Sequence, residues 1–417
     1  MPLTANIAGK IDKRLPIELI SFLRQAGELA TARGETVYLV GGAVRDLLLD
    51  KKCPDIDLAV EGEATTLARD LIKDKSAEIT IHPHFNTAKI CWSKWSIDLA
   101  TTRRESYSQP GALPDVKPGF LKDDLFRRDF SINAMAASLN PENYGRLIDP
   151  YGGRKDLNGR LIRILHEKSF IDDSTRIWRG LRYEQRLNFM LEAETLTLLQ
   201  RDIPMLDTIS GDRIRYELEC ILNEERPEKI LQRAGELGIL KRLNPSLIGN
   251  GWLAEKFSNA RQTSLPHKPP PELYMALLTY WLTDKEREQF ISYLRLSKPT
   301  IKILRDSGSI RGKINQLADS SMKPSTIYHL LHGNLPQAIT ANIIASDSEK
   351  ARSNMRLYMH KLSKTRPLLN GDDLTEMDIT PGPLIKQILN KLLDARLDGE
   401  VKTRRDEERV VRSWDTD

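Results

Sequence analysis

The segment Leu39–Leu49, LVGGAVRDLLL, joins an apolar β-rich run to a helical pattern through two adjacent glycines. Because glycine has no Cβ, such a turn lets the backbone N–H groups at the start of a helix approach a phosphate closely. Arg45 follows one helical turn later, where its guanidinium can pair with the same anion. Two-glycine turns also join strands to helices without binding anything, so this segment indicates phosphate binding only when further motifs support it.

Acidic residues follow this turn in the sequence. Asp55 and Asp57 stand two apart at the start of a β-rich run, and side chains at that spacing on a strand project from the same face. Asp98 lies on a later apolar run, 97–99, where an isolated carboxylate is unfavourable unless it has a metal or a polar partner. Carboxylates on adjacent strands supply the oxygen ligands that Mg²⁺ prefers, so the three residues predict a Mg²⁺ site.

Patterns of apolar residues divide the chain into two parts. Short β-rich runs alternate with helical patterns between about residues 36 and 165, whereas helix follows helix after Arg160. We therefore predict one α/β or α+β domain followed by an α-helical extension, with weak breaks at 265–271 and 367–371. The expected strands are 37–40, 56–60, 88–91 and 97–100, and the expected helices include 64–73, 174–190, 212–222, 227–237 and 271–282.

Composition and charge limit the class of protein. The 417 residues exceed the size at which single cores usually stop growing, and 40% apolar with 29% charged residues is typical of globular proteins. No segment resembles a membrane span and the N-terminus does not resemble a signal peptide, so a cytoplasmic protein without a membrane partner is expected. Three scattered cysteines support neither disulfides nor a thiolate zinc site. The net charge of +5 favours a polyanionic partner only if the basic residues cluster.

The order of the glycine turn, the Asp-X-Asp pair and the later Asp resembles the nucleotidyltransferase head of the bacterial class II CCA-adding enzyme and poly(A) polymerase family. Arg127–Met135, RRDFSINAM, is similar to the family's Arg-Arg-Asp-Phe-Thr-Ile-Asn-Ala signature. Asp149–Leu157, DPYGGRKDL, and Asp212–Leu218, DRIRYEL, look like two further family segments. Asp172–Arg182, DDSTRIWRGLR, resembles the family's Glu-Asp-X-X-Arg-X-X-Arg-X-X-Arg, with Asp172 in place of the usual Glu.

This resemblance implies an α+β fold, with a polymerase β-like nucleotidyltransferase head on a mixed β-sheet and an all-α neck, body and tail. The implied domains are 1–160, 161–225, 226–330 and 331–417, with the tail binding tRNA. In the implied reaction the RNA 3′-hydroxyl attacks the α-phosphorus of a nucleotide, two Mg²⁺ ions assist, and pyrophosphate leaves. The implied roles are metal binding for Asp55 and Asp57, catalysis for Asp98, triphosphate binding for Gly42 and Arg45, and a further nucleotide contact for Arg128.

Base selection is expected to depend on the polarity of the Watson–Crick edge. Cytosine and adenine each present an amine donor beside a ring-nitrogen acceptor, so one carboxylate and one guanidinium can recognise both without a template. Asp173 and Arg176, three apart on one predicted helix and hence on one face, are expected to supply this pair. Uracil and guanine would leave buried polar groups unpaired, and each unpaired group costs about 1–3 kcal/mol of binding free energy. Basic residues continue along the same predicted helix at Arg179, Arg182 and Arg186. The first two are expected nucleotide contacts, and a solvated basic helix face is the alternative.

Two further segments are interpreted through the resemblance. Tyr107–Gly119 contains three prolines and two glycines, which predicts a loop without regular structure. In the family a flexible loop at this place helps the site to switch from C to A, which favours complete CCA addition; a plain surface connection is the alternative. Residues 400–412 resemble the closing helix of family tails, and their Lys402, Arg404 and Arg405 are candidates for RNA phosphate contacts.

The sequence thus predicts an enzyme that adds C, C and A to the 3′ end of tRNA from CTP and ATP, with Mg²⁺ as its cofactor. Partial CC-adding or A-adding enzymes and a poly(A) polymerase share these motifs, so they remain alternatives. A non-catalytic RNA-binding protein is the alternative from another class. Binding alone does not require clustered carboxylates, which repel phosphate in the absence of a metal, and this argues against that alternative.

Overall fold

The chain divides into two units, one up to Glu217 and one from Leu218 onward. The computed structural model describes residues 5–52, 55–73, 76–83, 86–112 and 114–414. All strands in this described part lie in the first unit. They are β1 Thr36–Val40, β2 Ile56–Glu61, β3 Ala77–His82, β4 Thr87–Trp92, β5 Trp95–Thr101, β6 Arg103–Ser106, β7 Asp115–Pro118, β8 Ala136–Ser138, β9 Leu147–Ile148, β10 Leu161–Ile162 and β11 Met190–Leu191.

Helices occur in both units. Those that begin before the division are α1 Ala8–Arg14, α2 Ile17–Ala32, α3 Gly42–Leu48, α4 Ala64–Ile72, α5 Leu121–Phe126, α6 Gly153–Gly159, α7 Ser169–Asp172, α8 Thr175–Leu187, α9 Ala193–Asp202 and α10 Gly211–Leu222. The others are α11 Pro227–Glu236, α12 Leu240–Leu243, α13 Gly251–Ser264, α14 Pro271–Leu278, α15 Asp284–Leu294, α16 Lys298–Gly312, α17 Ile314–Leu317, α18 Pro324–Leu331, α19 Pro336–Ala345, α20 Glu349–His360, α21 Gly371–Glu376, α22 Pro383–Leu397 and α23 Arg404–Trp414.

A mixed sheet forms the centre of the first unit, with strand order β3-β4-β5-β2-β1-β8-β9. Strands β2 and β5 are parallel, and the other neighbouring pairs are antiparallel. Asp57 on β2 is paired in register with Asp98 on β5. Neighbouring strands lie about 4.8 Å apart, and residues paired in register project from the same face. The sheet therefore holds these two carboxylates side by side.

The apolar packing of helices against the sheet fixes the strands that bear the carboxylates. Helix α2 contacts β1 and α4, and α4 contacts β2, β4 and β5. Leu19 and Leu23 of α2 and Leu67 and Leu71 of α4 are buried. Their spacing of four residues places each pair on one helix face, which is the face that packs inward.

The predicted fold class, a mixed-sheet head followed by a helical extension, is confirmed. The expected strands all lie within observed ones, and the expected helices are present with ends that differ by up to four residues. One short parallel pair was not predicted: β10 and β11 pair Leu161 with Met190 and Ile162 with Leu191. Strands of two residues leave too short a pattern for recognition in a sequence.

The prediction that Tyr107–Gly119 lacks regular structure is wrong for Asp115–Pro118. These residues form β7, which pairs antiparallel with β6 from Arg103 opposite Pro118 to Ser106 opposite Asp115. We call the hairpin from Arg103 to Pro118 the arm. Proline lacks an N–H group, but it is tolerated at the end of a strand in a ribbon whose outer edge needs no donor.

The second unit is helical in its described part. Leu369, Leu374, Ile388 and Leu392 belong to a buried cluster between α21, α22 and α23. Helix α23, Arg404–Trp414, covers most of the helix predicted at 400–412. Among the described helices, none is long and apolar enough to cross a membrane.

Candidate functional site

A polar cavity of about 500 Å³ lies in the first unit, and residues from β1, β2, β5, the arm and α8 line it. Nine of the ten predicted site residues line this cavity, namely Gly42, Arg45, Asp55, Asp57, Asp98, Arg128, Asp173, Arg176 and Arg179. The tenth, Arg182, is not among the lining residues, and its guanidinium is 3.6 Å from the Glu217 carboxylate. The fold thus brings together predicted site residues that are separated by more than 130 positions in the sequence.

The turn between β1 and α3 depends on Gly41 more than on Gly42. Gly41 has φ +69°, and a Cβ there would lie 2.6 Å from Nη1 of Arg128 and 3.7 Å from Oδ2 of Asp57. A Cβ on Gly42 would make an ordinary contact, 3.5 Å from Nη2 of Arg45. The resemblance implied a role for Gly42, whereas the positive φ requires glycine at position 41, where a Cβ would also push against the tip of Arg128.

We expect Gly41→Ala to reduce both stability and activity. The free energy of unfolding should fall by about 1–3 kcal/mol because φ +69° is strained for an L-residue. The added Cβ should also displace Arg128, and misplacement of a site residue by about 1 Å lowers rates by about a hundredfold. Urea unfolding and single-turnover incorporation of nucleotide check the two effects. Gly9→Ala, at a glycine of α1 with open space around its Cβ position, should lower neither.

Three carboxylates face the cavity, and their electrostatics favour a cation. Burial raises the pKa of the Asp57 carboxyl; Arg128 opposes this shift, and the negative charges of Asp98 and Asp55 increase it. Asp98 lies within an apolar run of the sequence, yet its side chain is 52% exposed and has a polar partner in Lys89, whose Nζ is 3.8 Å away. Strand alternation turns the adjacent Ile97 and Leu99 to the buried face instead.

The carboxylates are suited to share a cation with a substrate. Within the described ranges, no group of three or more His, Cys, Asp or Glu side chains is arranged to hold a metal ion by itself. The predicted three-carboxylate cage is therefore not preassembled. Mg²⁺ commonly binds one or two carboxylates together with water and substrate phosphates, so Asp55 and Asp57 fit this cation when a nucleotide supplies the remaining oxygens.

Arginine side chains around the cavity are held by buried acids. Arg128 Nη2 donates to Oδ2 of Asp124 at 3.0 Å, and Arg127 Nη2 donates to Oδ1 of the same residue at 2.6 Å. Burial opposes ionisation of Asp124, but Arg128 and Arg127 lower the pKa of its carboxyl overall. The Arg179 guanidinium lies 2.7 Å from the Asp129 carboxylate, whose charge raises the pKa of Arg179. These arginines are therefore oriented before any ligand arrives.

Arg45 is buried and largely engaged within the protein. Its guanidinium donates to both Asp46 carboxylate oxygens, at 2.8 and 3.0 Å, and to Oδ1 of Asn133 at 2.7 Å. It also lies 5.3 Å from the centre of the Tyr183 ring. Although Arg45 lines the cavity, much of its hydrogen-bonding capacity fixes the start of α3 to the segment around Asn133.

Asp173 and Arg176 line the same cavity, but the expectation that both lie on one helix is wrong. Helix α8 begins at Thr175, and Asp173 precedes it with extended φ −141° and ψ 95°. Oδ1 of Asp173 accepts the Thr175 N–H at 3.0 Å. Aspartate is favoured at such a position because its carboxylate satisfies an N–H group that has no partner within the helix.

Asp173 and Arg176 are each oriented by a further contact. Nη2 of Arg213 donates to Oδ1 of Asp173 at 2.7 Å. Arg176 Nη1 and Nη2 donate to the carbonyls of Ser169 and Arg127, at 3.2 and 2.7 Å. A guanidinium has five N–H groups, so these two bonds leave donors for a ligand.

Several cavity residues were missed as functional candidates in the sequence. The Glu105 carboxylate on the arm accepts hydrogen bonds from Arg103, Arg127 and the Tyr107 hydroxyl. Nη1 of Arg213 donates to the Gly111 carbonyl at the arm tip, at 3.3 Å. Arg213, which does not line the cavity itself, lay within the quoted motif 212–218, and the lining residues Arg127, Asp129 and Asn133 lay within the quoted motif 127–135, so the sequence offered a signal in these two segments.

Two family profiles match this chain. The poly A polymerase head domain matches residues 37–163, which include the glycine turn and the carboxylates. The probable RNA and SrmB-binding site of polymerase A matches residues 188–248.

Relatives with curated names extend the similarity to nearly the whole chain. The A-adding tRNA nucleotidyltransferase of Halalkalibacterium halodurans is 30% identical over 98% of this chain and 96% of that protein. The A-adding tRNA nucleotidyltransferase of Geobacter sulfurreducens is 33% identical over 96% of this chain, which spans only 48% of that protein. The CCA-adding enzyme of Geobacillus stearothermophilus is 28% identical over 89% of this chain and 91% of that protein.

Solved structures are also similar to nearly the whole chain. An apo form of a CCA-adding enzyme matches with a TM-score of 0.85 and 31% identity, over 99% of this chain and 100% of that one. A CCA-adding enzyme in complex with ATP matches with a TM-score of 0.83 and 29% identity over the same shares. The Thermotoga maritima CCA-adding enzyme complexed with tRNA matches with a TM-score of 0.79 and 29% identity, again over 99% and 100%.

Proposed function

Because this chain belongs to the tRNA nucleotidyltransferase and poly(A) polymerase family, we propose that it builds the CCA end of tRNA from CTP and ATP, releasing pyrophosphate. The observation that supports this most is the single cavity that joins the Asp55, Asp57 and Asp98 carboxylates to the Asp173–Arg176 pair. Such a cavity suits both the reacting phosphate and the base of one nucleotide. Soluble tRNA is the proposed partner, and the cytoplasm is the proposed location.

The proposed transfer replaces the bond between the α-phosphorus and pyrophosphate with a bond to the RNA 3′-oxygen, and the proton of the 3′-hydroxyl is lost to water. Asp98, which is half exposed to the cavity, accepts a hydrogen bond from the attacking hydroxyl and orients it. Two Mg²⁺ ions held by Asp55 and Asp57 would supply Lewis-acid activation of the hydroxyl and neutralise the charge of the leaving group. Arg45, Arg128 and the N–H groups at the start of α3 bind the triphosphate.

Base selection is proposed to rest on Asp173 and Arg176. The carboxylate accepts from the exocyclic amine of cytosine or adenine, and the guanidinium donates to the neighbouring ring nitrogen. Arg213 supports Asp173, and the Arg127 carbonyl supports Arg176, so both groups keep their orientation when the base changes. Arg179 is a further proposed nucleotide contact, whereas Arg182 stays a weaker candidate because it lies outside the cavity lining.

A-addition alone is the second candidate function. The relatives that match this chain at 30–33% identity bear the name A-adding tRNA nucleotidyltransferase, whereas CC-adding and CCA-adding relatives match at 27–29%. Structures of CCA-adding enzymes match at a comparable 29–31%. The motifs at the cavity serve either activity, so the products must decide between them.

The product of each RNA end separates these candidates. We expect tRNA transcripts ending at the base before CCA, after one C and after CC all to be completed to CCA when CTP, ATP and Mg²⁺ are supplied. Gel electrophoresis at single-nucleotide resolution measures the product lengths. Extension of the CC transcript alone would identify an A-adding enzyme, arrest at CC a CC-adding enzyme, and long A tails a poly(A) polymerase. The absence of any Mg²⁺-dependent incorporation, with RNA still bound, would favour the non-catalytic RNA-binding alternative.

The helical regions are proposed to hold the tRNA while the head performs transfer. We propose the division into a head at 1–160, a neck at 161–225, a body at 226–330 and a tRNA-binding tail at 331–417. In the tail, the buried Glu407 accepts the N–H groups of Leu368 and Leu369 at 2.8 Å, which secures α23. Lys402 and Arg405 remain proposed phosphate contacts, whereas Arg404 is already paired with Asp373 at 2.5 Å.

A further inference from the structure

A group of three aromatic rings, of which one is exposed, lies in the first unit next to Arg127, a residue of the cavity lining. Phe126, the last residue of α5, is 44% exposed although it is apolar. Its ring centre is 4.9 Å from that of His166, with 29° between the planes, and 5.7 Å from that of Tyr151. We call Phe126, Tyr151 and His166 the aromatic patch.

One side of the patch packs against the protein interior, and the ring of Phe126 is partly exposed to solvent. Tyr151 packs against the buried cluster that contains Leu121 and Leu125, and its hydroxyl donates to the Lys122 carbonyl at 3.1 Å. Burial and the charge of Arg176 lower the pKa of His166, so its ring is neutral at neutral pH. Core packing accounts for Tyr151, but it does not account for the exposed face of Phe126.

The patch is continuous with the proposed base-selecting pair. Arg127 directly follows Phe126 and lines the cavity, and its carbonyl accepts from Nη2 of Arg176 at 2.7 Å. The Arg176 charge also acts on His166, at the other end of the patch. These contacts link the patch to residues proposed to bind the incoming nucleotide, and the RNA terminus must lie near that nucleotide for its 3′-hydroxyl to react.

From these contacts we infer that the aromatic patch binds the unpaired 3′ end of the RNA by stacking at least one base on Phe126. Aromatic rings bind single-stranded nucleic acid in this way without sequence preference, which suits an end whose terminal base changes with each addition. The elements that form the patch also expose basic side chains for the accompanying phosphates, namely Lys122, Arg154, Lys155 and Lys168. The inference rests on the proposed function, because it assigns a substrate subsite to it.

Phe126→Ala tests the subsite in the full-length protein. The probe is a tRNA transcript that carries 2-aminopurine as its 3′-terminal base, whose fluorescence falls when it stacks. We expect wild-type protein, without nucleotide or metal, to quench this fluorescence and Phe126→Ala to lose the quenching. With ATP and a CC-ended tRNA, the KM for tRNA should rise about tenfold, while kcat and the KM for ATP change little. Phe126→Trp should restore both signals.

Matched variants separate stacking from folding. His166→Ala removes the neighbouring ring and should weaken quenching in the same direction. Ile17→Ala truncates another exposed apolar side chain of the same unit, 72% exposed, and should change nothing. Quenching does not depend on transfer, so an inactive wild type that still quenches would contradict the proposed function and leave the subsite supported. Unchanged quenching in Phe126→Ala, or a change in KM that Phe126→Trp fails to restore, would overturn the subsite.

Discussion

Replacement of Asp57 by Asn is expected to lower the rate of nucleotide transfer about a thousandfold or more while tRNA binding changes little. The amide has the size of the carboxylate but lacks its charge, and several kcal/mol of transition-state stabilisation by a metal depend on that charge. Asp57 lines the cavity, and the positive charge of Arg128 acts on its carboxyl group. Asp55→Asn should act in the same direction, because the two residues are proposed to share the cation.

Stability and binding measurements show whether this loss is chemical. Asp55, Asp57 and Asp98 repel one another without a cation, and this repulsion together with burial raises the pKa of Asp57. Removal of one charge should therefore leave the free energy of unfolding unchanged or slightly higher. Asp70→Asn, which removes a surface carboxylate 3.1 Å from Arg33, is the matched control and should keep full activity. Full activity of Asp57→Asn at saturating Mg²⁺ would show that the metal assignment is wrong.

Replacement of Asp173 by Ala is expected to remove the preference for CTP and ATP over UTP and GTP. The preference should fall by about tenfold to a hundredfold, because each unpaired polar group in a buried site is worth about 1–3 kcal/mol. The measurement is kcat/KM for all four nucleotides with the same tRNA. Asp173→Asn adds a donor where cytosine and adenine already present one, so it should favour UTP and GTP relative to the wild type.

Two neighbours distinguish base recognition from support of the helix. Arg213→Ala removes the 2.7 Å contact to Asp173 but leaves the carboxylate, so the rate should fall more than the preference. At position 172 the family usually has Glu, and here the Asp172 carboxylate lies 4.0 Å from His166. Asp172→Ala should leave the preference among the four nucleotides, measured by kcat/KM, unchanged. An equal loss of rate for all four nucleotides in Asp173→Ala would mean that this residue only caps α8.

The strands and helices expected from the sequence are present in the structure, and nine of the ten predicted site residues meet in the cavity. Val37–Val40 and Ile56–Val60 were recognisable because a strand has a side-chain period of two and a helix one of 3.6, both set by the local backbone. The arm was misjudged because β7 owes its conformation to pairing with β6, and not to the preference of Asp115–Pro118 itself. The local sequence predicts poorly those short strands that form only by pairing with another segment.

Motif order likewise singled out residues that line one cavity before their geometry was known. Glu105 and Tyr107 were missed because an isolated Glu and Tyr on a short strand are unremarkable in sequence, and only the fold brings them to Arg127. Asp173 was found, but its helix was extended too far, because the role of its carboxylate at the start of α8 competes with helix propensity. The sequence thus predicted which residues are at the cavity better than it predicted where their side chains lie.

By itself, the sequence determined the two-part architecture, the glycine turn, and the acids and arginines that are proposed to serve a nucleotide. The tertiary structure alone decided that Asp98 stands in register with Asp57, that Gly41 and not Gly42 must be glycine, and that Asp173 precedes its helix. The physical reason is the range of the interactions. Backbone periodicity and turn preference act over a few residues, whereas strand register, ion pairing and close backbone approach depend on parts of the chain that only folding brings together.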